Sequence, residues 1–251
     1  MSPLALSSVI FLFLIGGILL GSLLNRALPE HHLSKESQDV VRLGVGLIAT
    51  IGALVLGLLI AAAKGNFDTQ SAQVRQITAD FILLDKLLEL YGPQATPIRK
   101  ELRASIGPFV EKLWREQSAR ASAPFEASAG AERMFLAIQE LAPQNEVQRS
   151  LQARAVQVAT DLVQTRLLLF AASGNSIPTP FLTIMVFWLV IIFASYSLFT
   201  TLNTSVFVLL GLLALSASGA LFLILELSEP FAGLMQIPSA PLLHALGPIN
   251  P

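Results

Sequence analysis

LGVGLIATIGALVLGLLIAAA, residues 43–63, is the stretch that decides the fold of this chain. It contains no Lys, Arg, Asp, Glu or His. Wound as an α-helix at about 1.5 Å per residue, it matches the roughly 30 Å hydrocarbon core of a bilayer. Backbone groups find no water in lipid, so a helix that satisfies its own hydrogen bonds is the form such a stretch takes there. Moving outward, residues 4–24, 181–199 and 206–225 repeat the pattern, each without acidic, basic or histidine side chains. The four runs fall two and two around the polar residues 64–179. The chain therefore reads as all-α: an integral membrane protein with four transmembrane helices and a helical soluble insert between the second and third. This divides it into three segments. Residues 1–63 hold transmembrane helices 1 and 2 with their loop, 64–179 form the helical insert, and 180–251 hold helices 3 and 4 with a C-terminal tail.

Composition agrees. The 251 residues are 53% hydrophobic and only 13% charged, where soluble domains carry about 25% charged residues. The formal net charge of −1 gives no argument for a nucleic acid partner. The absence of cysteine excludes disulfides, thiolate metal sites and cysteine nucleophiles. The first run has no basic residue before it and no small-x-small site after it, so it reads as a retained helix, not a cleaved signal. Four spans put both termini and the insert on one face. Lys64, Arg75 and Arg166 on that face balance Arg26, Lys35 and Arg42 on the other, so the positive-inside rule decides little. The size of the helical insert favours the cytoplasm for its face.

Within the insert, Gly65 and Asn66 are expected to loosen the end of the second span, with Asp68 as the N-cap of the first insert helix. Val74, Ile77, Phe81, Leu84, Leu88 and Tyr91 recur at three- and four-residue spacing, the mark of an amphipathic helix stopped by Gly92-Pro93. A second helix is expected over 97–118, with Ile98, Leu102, Ile106, Phe109, Val110 and Leu113 on one face and a kink at Pro108. Residues 119–130 read as a loop, 131–141 as a short helix. A last helix carries Val147, Leu151, Ala155, Val158, Leu162, Thr165 and Leu169. The insert's 13 basic and 12 acidic residues suit salt-bridged helix surfaces more than a docking patch.

The second span is the best functional candidate. Gly46, Thr50, Ala53, Gly57 and Ala61 lie on one helical face, and Leu47, Ile51, Leu54 and Leu58 are assigned to the opposite one. A small-residue face is either a packing seam, where helices approach closely in lipid, or the wall of an uncharged pore shared by several subunits. In the pore reading, Val41, Leu43 or Leu47 would form narrower rings near its outer end. Gly17 and Gly21 form a Gly-x-x-x-Gly pair, and Gly211, Ala214, Ser218 and Gly219 mark another helix-packing candidate. Glu226 and Glu229, at the end of the fourth span, are interfacial acidic candidates whose plainest reading is a solvated helix end. Asp80 and Asp85 fall on different faces, against a paired acid–base site. Asp85 and Glu89 read as a solvated face. His31, His32 and His244 have no acid or cysteine at ligand spacing, so no metal and no cofactor are expected. No nucleophile or phosphate-loop motif occurs, and no enzyme is expected. Uncharged spans also disfavour coupled transport.

Four segments carry a family resemblance. They are GLIATIGALVLGLLIAAAKGNFD at 46–68, LLD at 83–85 with YGP at 91–93, GNSIP at 174–178 before FW at 187–188, and LILEL at 223–227 with PFAGL at 230–234. Together they resemble the bacterial bestrophin-like membrane proteins of the DUF4239 family, over nearly the whole chain. The resemblance implies an ion channel of the inner (plasma) membrane, and conduction of anions such as chloride is part of that expectation. It also implies a homo-oligomer, typically a pentamer, with cytoplasmic termini and a pore lined by the second span. Partners would then be the lipid bilayer, other copies of the chain and small ions. The stretch 43–63 departs from bestrophin pores in having no aromatic residue. The competing reading is a non-conducting membrane scaffold whose cytoplasmic helical domain binds a protein partner.

Overall fold

The computed structural model describes residues 2–29, 34–118, 129–172, 179–201 and 203–245, and these are helical without strands. The helices are α1 (Pro3–Ala27), α2 (Lys35–Tyr91), α3 (Thr96–Ser118), α4 (Ala129–Gln139), α5 (Glu146–Ala172), α6 (Thr179–Leu198), α7 (Thr204–Leu227) and α8 (Ala240–Leu243), with a 3₁₀ turn at Pro93–Ala95. Four of them, α1, α2, α6 and α7, are long and apolar enough to cross a membrane. The chain folds as two units, and they are described separately.

The membrane unit comprises the described parts of residues 2–66 and 179–228. Its helix ends are set locally. The Ser2 hydroxyl accepts from the Ala5 amide at 3.3 Å with Pro3 in the first turn, and Asn203 Oδ1 accepts from the Val206 amide at 2.9 Å. Each cap satisfies an amide that the first helical turn leaves without a partner. Helix α1 packs against α6 and α7. Its buried residues, Ser7, Ile10, Leu14, Gly17, Ile18 and Gly21, follow the helical repeat.

The insert unit comprises described residues from 67–172 together with 229–245. Here two expectations are corrected. Helix α2 runs unbroken for 57 residues, so Gly65, Asn66 and Asp68 lie inside it, and they neither loosen a helix end nor cap one. A mid-helix glycine costs only about 1 kcal/mol, which a helix of this length absorbs. The tail, grouped by sequence with the last two spans, belongs with the insert. Its Phe231, Ile237 and Leu242 are buried in the insert core. The Trp114 ring of α3 meets Phe231 edge-on at 5.1 Å, and Trp114 Nε1 donates to the Ile237 carbonyl at 3.0 Å.

The predicted apolar stripes face one another. Val74, Ile77, Phe81, Leu84, Leu88 and Tyr91 are all buried, with Leu102, Ile138, Leu162 and Leu169 from the other helices. Val147, in the first turn of α5, is an exception and is exposed. Gly92 adopts φ 113°, open to glycine at little cost, and turns the chain from α2 into α3. Two glutamines of α5 close other helix ends. Gln148 Nε2 donates to the Tyr91 carbonyl at 3.0 Å. Gln152 Nε2 reaches the carbonyls of Ile138, Gln139 and Leu141 at 3.0, 3.0 and 2.8 Å. Helix α3 continues through Pro108. The loop assigned to 119–130 lies mostly outside the described residues, and α4 begins at Ala129, two residues before the expected start.

Candidate functional site

The small face of the second span is open. Gly46, Thr50, Ala53, Gly57 and Ala61 are all exposed in the protomer, and a Cβ added to Gly46 or Gly57 would meet nothing within 4 Å. The Thr50 hydroxyl donates back to the Gly46 carbonyl at 2.9 Å, so it is satisfied by its own helix. Leu43, Leu47, Ile51, Leu54 and Leu58 are exposed as well. The leucine face is therefore not the inward one. At about 100° per residue it lies beside the small face, and a third face turns inward. That inward face carries Val45, Gly52 and Ala63, and a Cβ added to Gly52 would lie 3.8 Å from the Trp188 ring of α6.

The other small-residue stripe is engaged. A Cβ on Gly17 would lie 3.1 Å from the Val190 carbonyl oxygen, and one on Gly21 would collide with the Ala194 carbonyl. Four residues on, Asn25 Nδ2 donates to the Leu198 carbonyl at 2.5 Å. The three contacts advance together along α1 and α6, so these two helices run parallel. Gly21 is glycine because any side chain there strikes backbone. Asn25 does not stand out in the sequence, although it continues the four-residue spacing. On α7, Ser218 is buried and donates to the Ser7 carbonyl of α1 at 2.7 Å. Gly211 is not a close contact, since nothing lies within 4 Å of its added Cβ, and the same holds for Gly219.

Glu226 departs from the solvated helix end assigned to it. It is 2% exposed, with Leu227, Pro230 and Phe231 buried around it in sequence, while Glu229 is half-buried. Its burial depends on tertiary packing that the local sequence does not encode.

Asp85 also leaves the solvated face. It is buried, and two arginines of α3 grip it. Arg99 donates through Nε and Nη2 at 3.2 and 3.0 Å, and Arg103 through the same atoms at 2.9 and 2.7 Å. Burial alone would raise the Asp85 carboxyl, but the hydrogen bonds and charges of Arg103 and Arg99 outweigh it and hold the group at about 2. Glu89 completes the cluster, 3.5 Å from Arg99 and 2.6 Å from Lys86. The hydrogen bond and charge of Lys86 hold Glu89 below the ordinary carboxylate value. The hairpin turn at 92–95 explains the pairing: residues 85 and 99–103 stand at matching distances on either side of it. Asp80 is different. It is buried, takes one hydrogen bond from Gln76 Nε2 at 2.9 Å, and its Oδ2 has no hydrogen-bond partner among the described residues. Burial first, and Asp161 of α5 second among the raising influences, push its carboxyl up. Arg166 stacks over the Phe109 ring at 4.5 Å, and burial lowers its ordinary value.

His31 and His32 lie outside the described residues, as does the 174–178 motif. His244 directly succeeds α8. No group of three or more His, Asp or Glu is placed to hold a metal ion among the described residues.

Four helices long and apolar enough to cross a membrane, a helical insert closed around its own core, and an open uncharged face on the second span define a helical membrane protein. The chain belongs to the Bestrophin-like domain family, whose model matches residues 12–242. No curated protein and no solved structure matches it.

Proposed function

We propose that the protein is a homo-oligomeric ion channel, anion-conducting and pentameric, in which α2 of each subunit turns Gly46, Thr50, Ala53, Gly57 and Ala61 toward a shared axis. The insert then forms a cytoplasmic vestibule, and no enzymatic step is involved. The observation that carries this reading is the open face itself: a stripe small and uncharged along its length, exposed in the protomer while the helix packs inward through Val45, Gly52 and Ala63. Such a face admits ions without binding them tightly, and a constriction of apolar residues gates by dewetting. Family membership supports the channel class, since the match covers the spans and the insert together. Purified protein in liposomes is expected to pass chloride, and Ala53→Trp or Gly57→Trp is expected to block that flux. Absence of flux for common anions and cations from an intact oligomer would overturn the proposal.

A further inference from the structure

The membrane unit holds a cleft where α2 begins its span and α6 ends. It is lined by Val41, Arg42 and Val45 on one side and by Tyr196, Phe199 and Thr200 on the other. Its depth in the membrane can be read from the sequence. Arg42 is the last charged residue before the run at 43–63, and Thr200 directly succeeds the run at 181–199. Both mark the level where hydrocarbon gives way to headgroups, on the face that carries the two short connections. Arg42 is exposed and has no ion-pair partner among the described residues, although Asp39 stands one turn earlier. Tyr196 is 49% exposed, an aromatic hydroxyl at the depth where such side chains prefer to sit.

Three chemistries thus converge. A guanidinium fork matches the geometry of phosphate oxygens. The Tyr196 and Thr200 hydroxyls add neutral donors. Val45 supplies an apolar wall on the hydrocarbon side, and Val41 and Phe199 flank Arg42 and Thr200 at the boundary. A free phosphate would use the first two and leave the wall wet; an amphiphile uses all three. We propose that this cleft binds one phospholipid per protomer, with Arg42, Tyr196 and Thr200 holding the phosphate and the apolar wall lying along the first acyl carbons. The inference holds whether or not the protein conducts ions.

Native mass spectrometry of delipidated protein in detergent tests it with three probes: dioleoylphosphatidylglycerol, dioleoylglycerol and inorganic phosphate. Wild-type protein is expected to retain the phosphatidylglycerol and not the dioleoylglycerol, with excess inorganic phosphate failing to displace the lipid. Arg42→Ala should weaken retention about tenfold, as loss of a charge-assisted contact does. Tyr196→Phe should weaken it less. Arg26→Ala, a basic residue on the same membrane face outside the cleft, should leave it unchanged. Because Arg42 is exposed, its substitution leaves folding intact, which size-exclusion profiles check. Unchanged retention in Arg42→Ala, or equal retention of dioleoylglycerol, overturns the site. Displacement by inorganic phosphate overturns the lipid assignment in favour of free phosphate. Cross-linking through Tyr196→Cys to another copy in lipid-free oligomer overturns it in favour of a subunit contact.

Discussion

In the insert, the apolar stripe from Val74 to Tyr91 finds its partners within the chain: Leu84 is fully buried, and Asp85 beside it is clamped by two arginines. In the membrane unit, Leu43 is 77% exposed and the small stripe beside it touches nothing at Gly46 or Gly57. Both regions include part of the same helix, α2, and both keep to a helical repeat. The difference lies in the solvent. In water an exposed leucine row costs about 1.5–3 kcal/mol per side chain, so the insert must close. In hydrocarbon that cost vanishes, and helices associate only where small residues let backbones meet. Gly17 and Gly21 do so within the protomer. The stripe from Gly46 to Ala61 is built the same way and stays open, which leaves it available to something outside the protomer.

The largest effect should come from breaking the insert's closure. Asp85→Ala removes the carboxylate that both Arg99 and Arg103 grip, each with less than a fifth of its side chain exposed. Removing one partner of a buried ion pair costs about 3–5 kcal/mol. Denaturant unfolding tracked by Trp114 emission, in a Trp188→Phe background, should show that loss; a change below about 1 kcal/mol would mean that water already solvates the arginines. The same pair sets a pH dependence. Asp85 is depressed from 3.8 to about 2 in the fold. Its stabilisation is therefore present above pH 3.8 and lost as pH falls through about 2, and the variant should lack that acid limb.

Next comes the engaged stripe. Gly21→Val places carbon against the Ala194 carbonyl, which is backbone and cannot rotate away. Overpacking of this kind costs about 1–3 kcal/mol. Thermal unfolding in detergent should fall accordingly, and an unchanged midpoint would show that α1 and α6 part easily. The open stripe should behave oppositely. Gly57→Leu meets open space, so the protomer's stability should move by less than about 0.5 kcal/mol. A loss comparable to that of Gly21→Val, measured on monomeric protein, would erase the contrast between the two stripes.

Much of this contrast is legible in residue spacing. The buried set from Val74 to Tyr91 is given by its repeat, and the spans by the absence of charge. Spacing cannot give relations that depend on a second element. Asp85 reads as solvated because its partners stand 14 and 18 residues away across a turn; matching distances from Gly92 are the available signal. Glu226 reads as a wet helix end because nothing nearby in sequence shows what covers it. Gly65 and Asn66 read as a break because they are poor helix formers, yet local propensity is weak against a long hydrogen-bonded ladder. The leucines of the second span read as opposite the small face, when the actual helical angle sets them beside it.

The smallest change expected within the insert belongs to Asp80, a buried carboxylate that no arginine clamp answers. Its carboxyl is raised by burial and by Asp161, against the lowering influence of Gln76 and Arg154. The folded state therefore binds this proton more tightly than the unfolded state does. Stability from this group falls as pH rises from 3.8 toward the raised value, and the cost persists at neutral pH. Asp80→Asn removes the charge while keeping an oxygen to accept from Gln76. The variant should be more stable than wild type at pH 7, within about 1 kcal/mol. That advantage should shrink as pH falls and the wild-type carboxyl takes up its proton. Denaturation midpoints at about pH 4 and pH 7 separate the outcomes. A variant less stable than wild type at neutral pH would mean that Arg154 attracts the carboxylate more strongly than burial penalises it, and Asp80 would then be answered by a cation as Asp85 is.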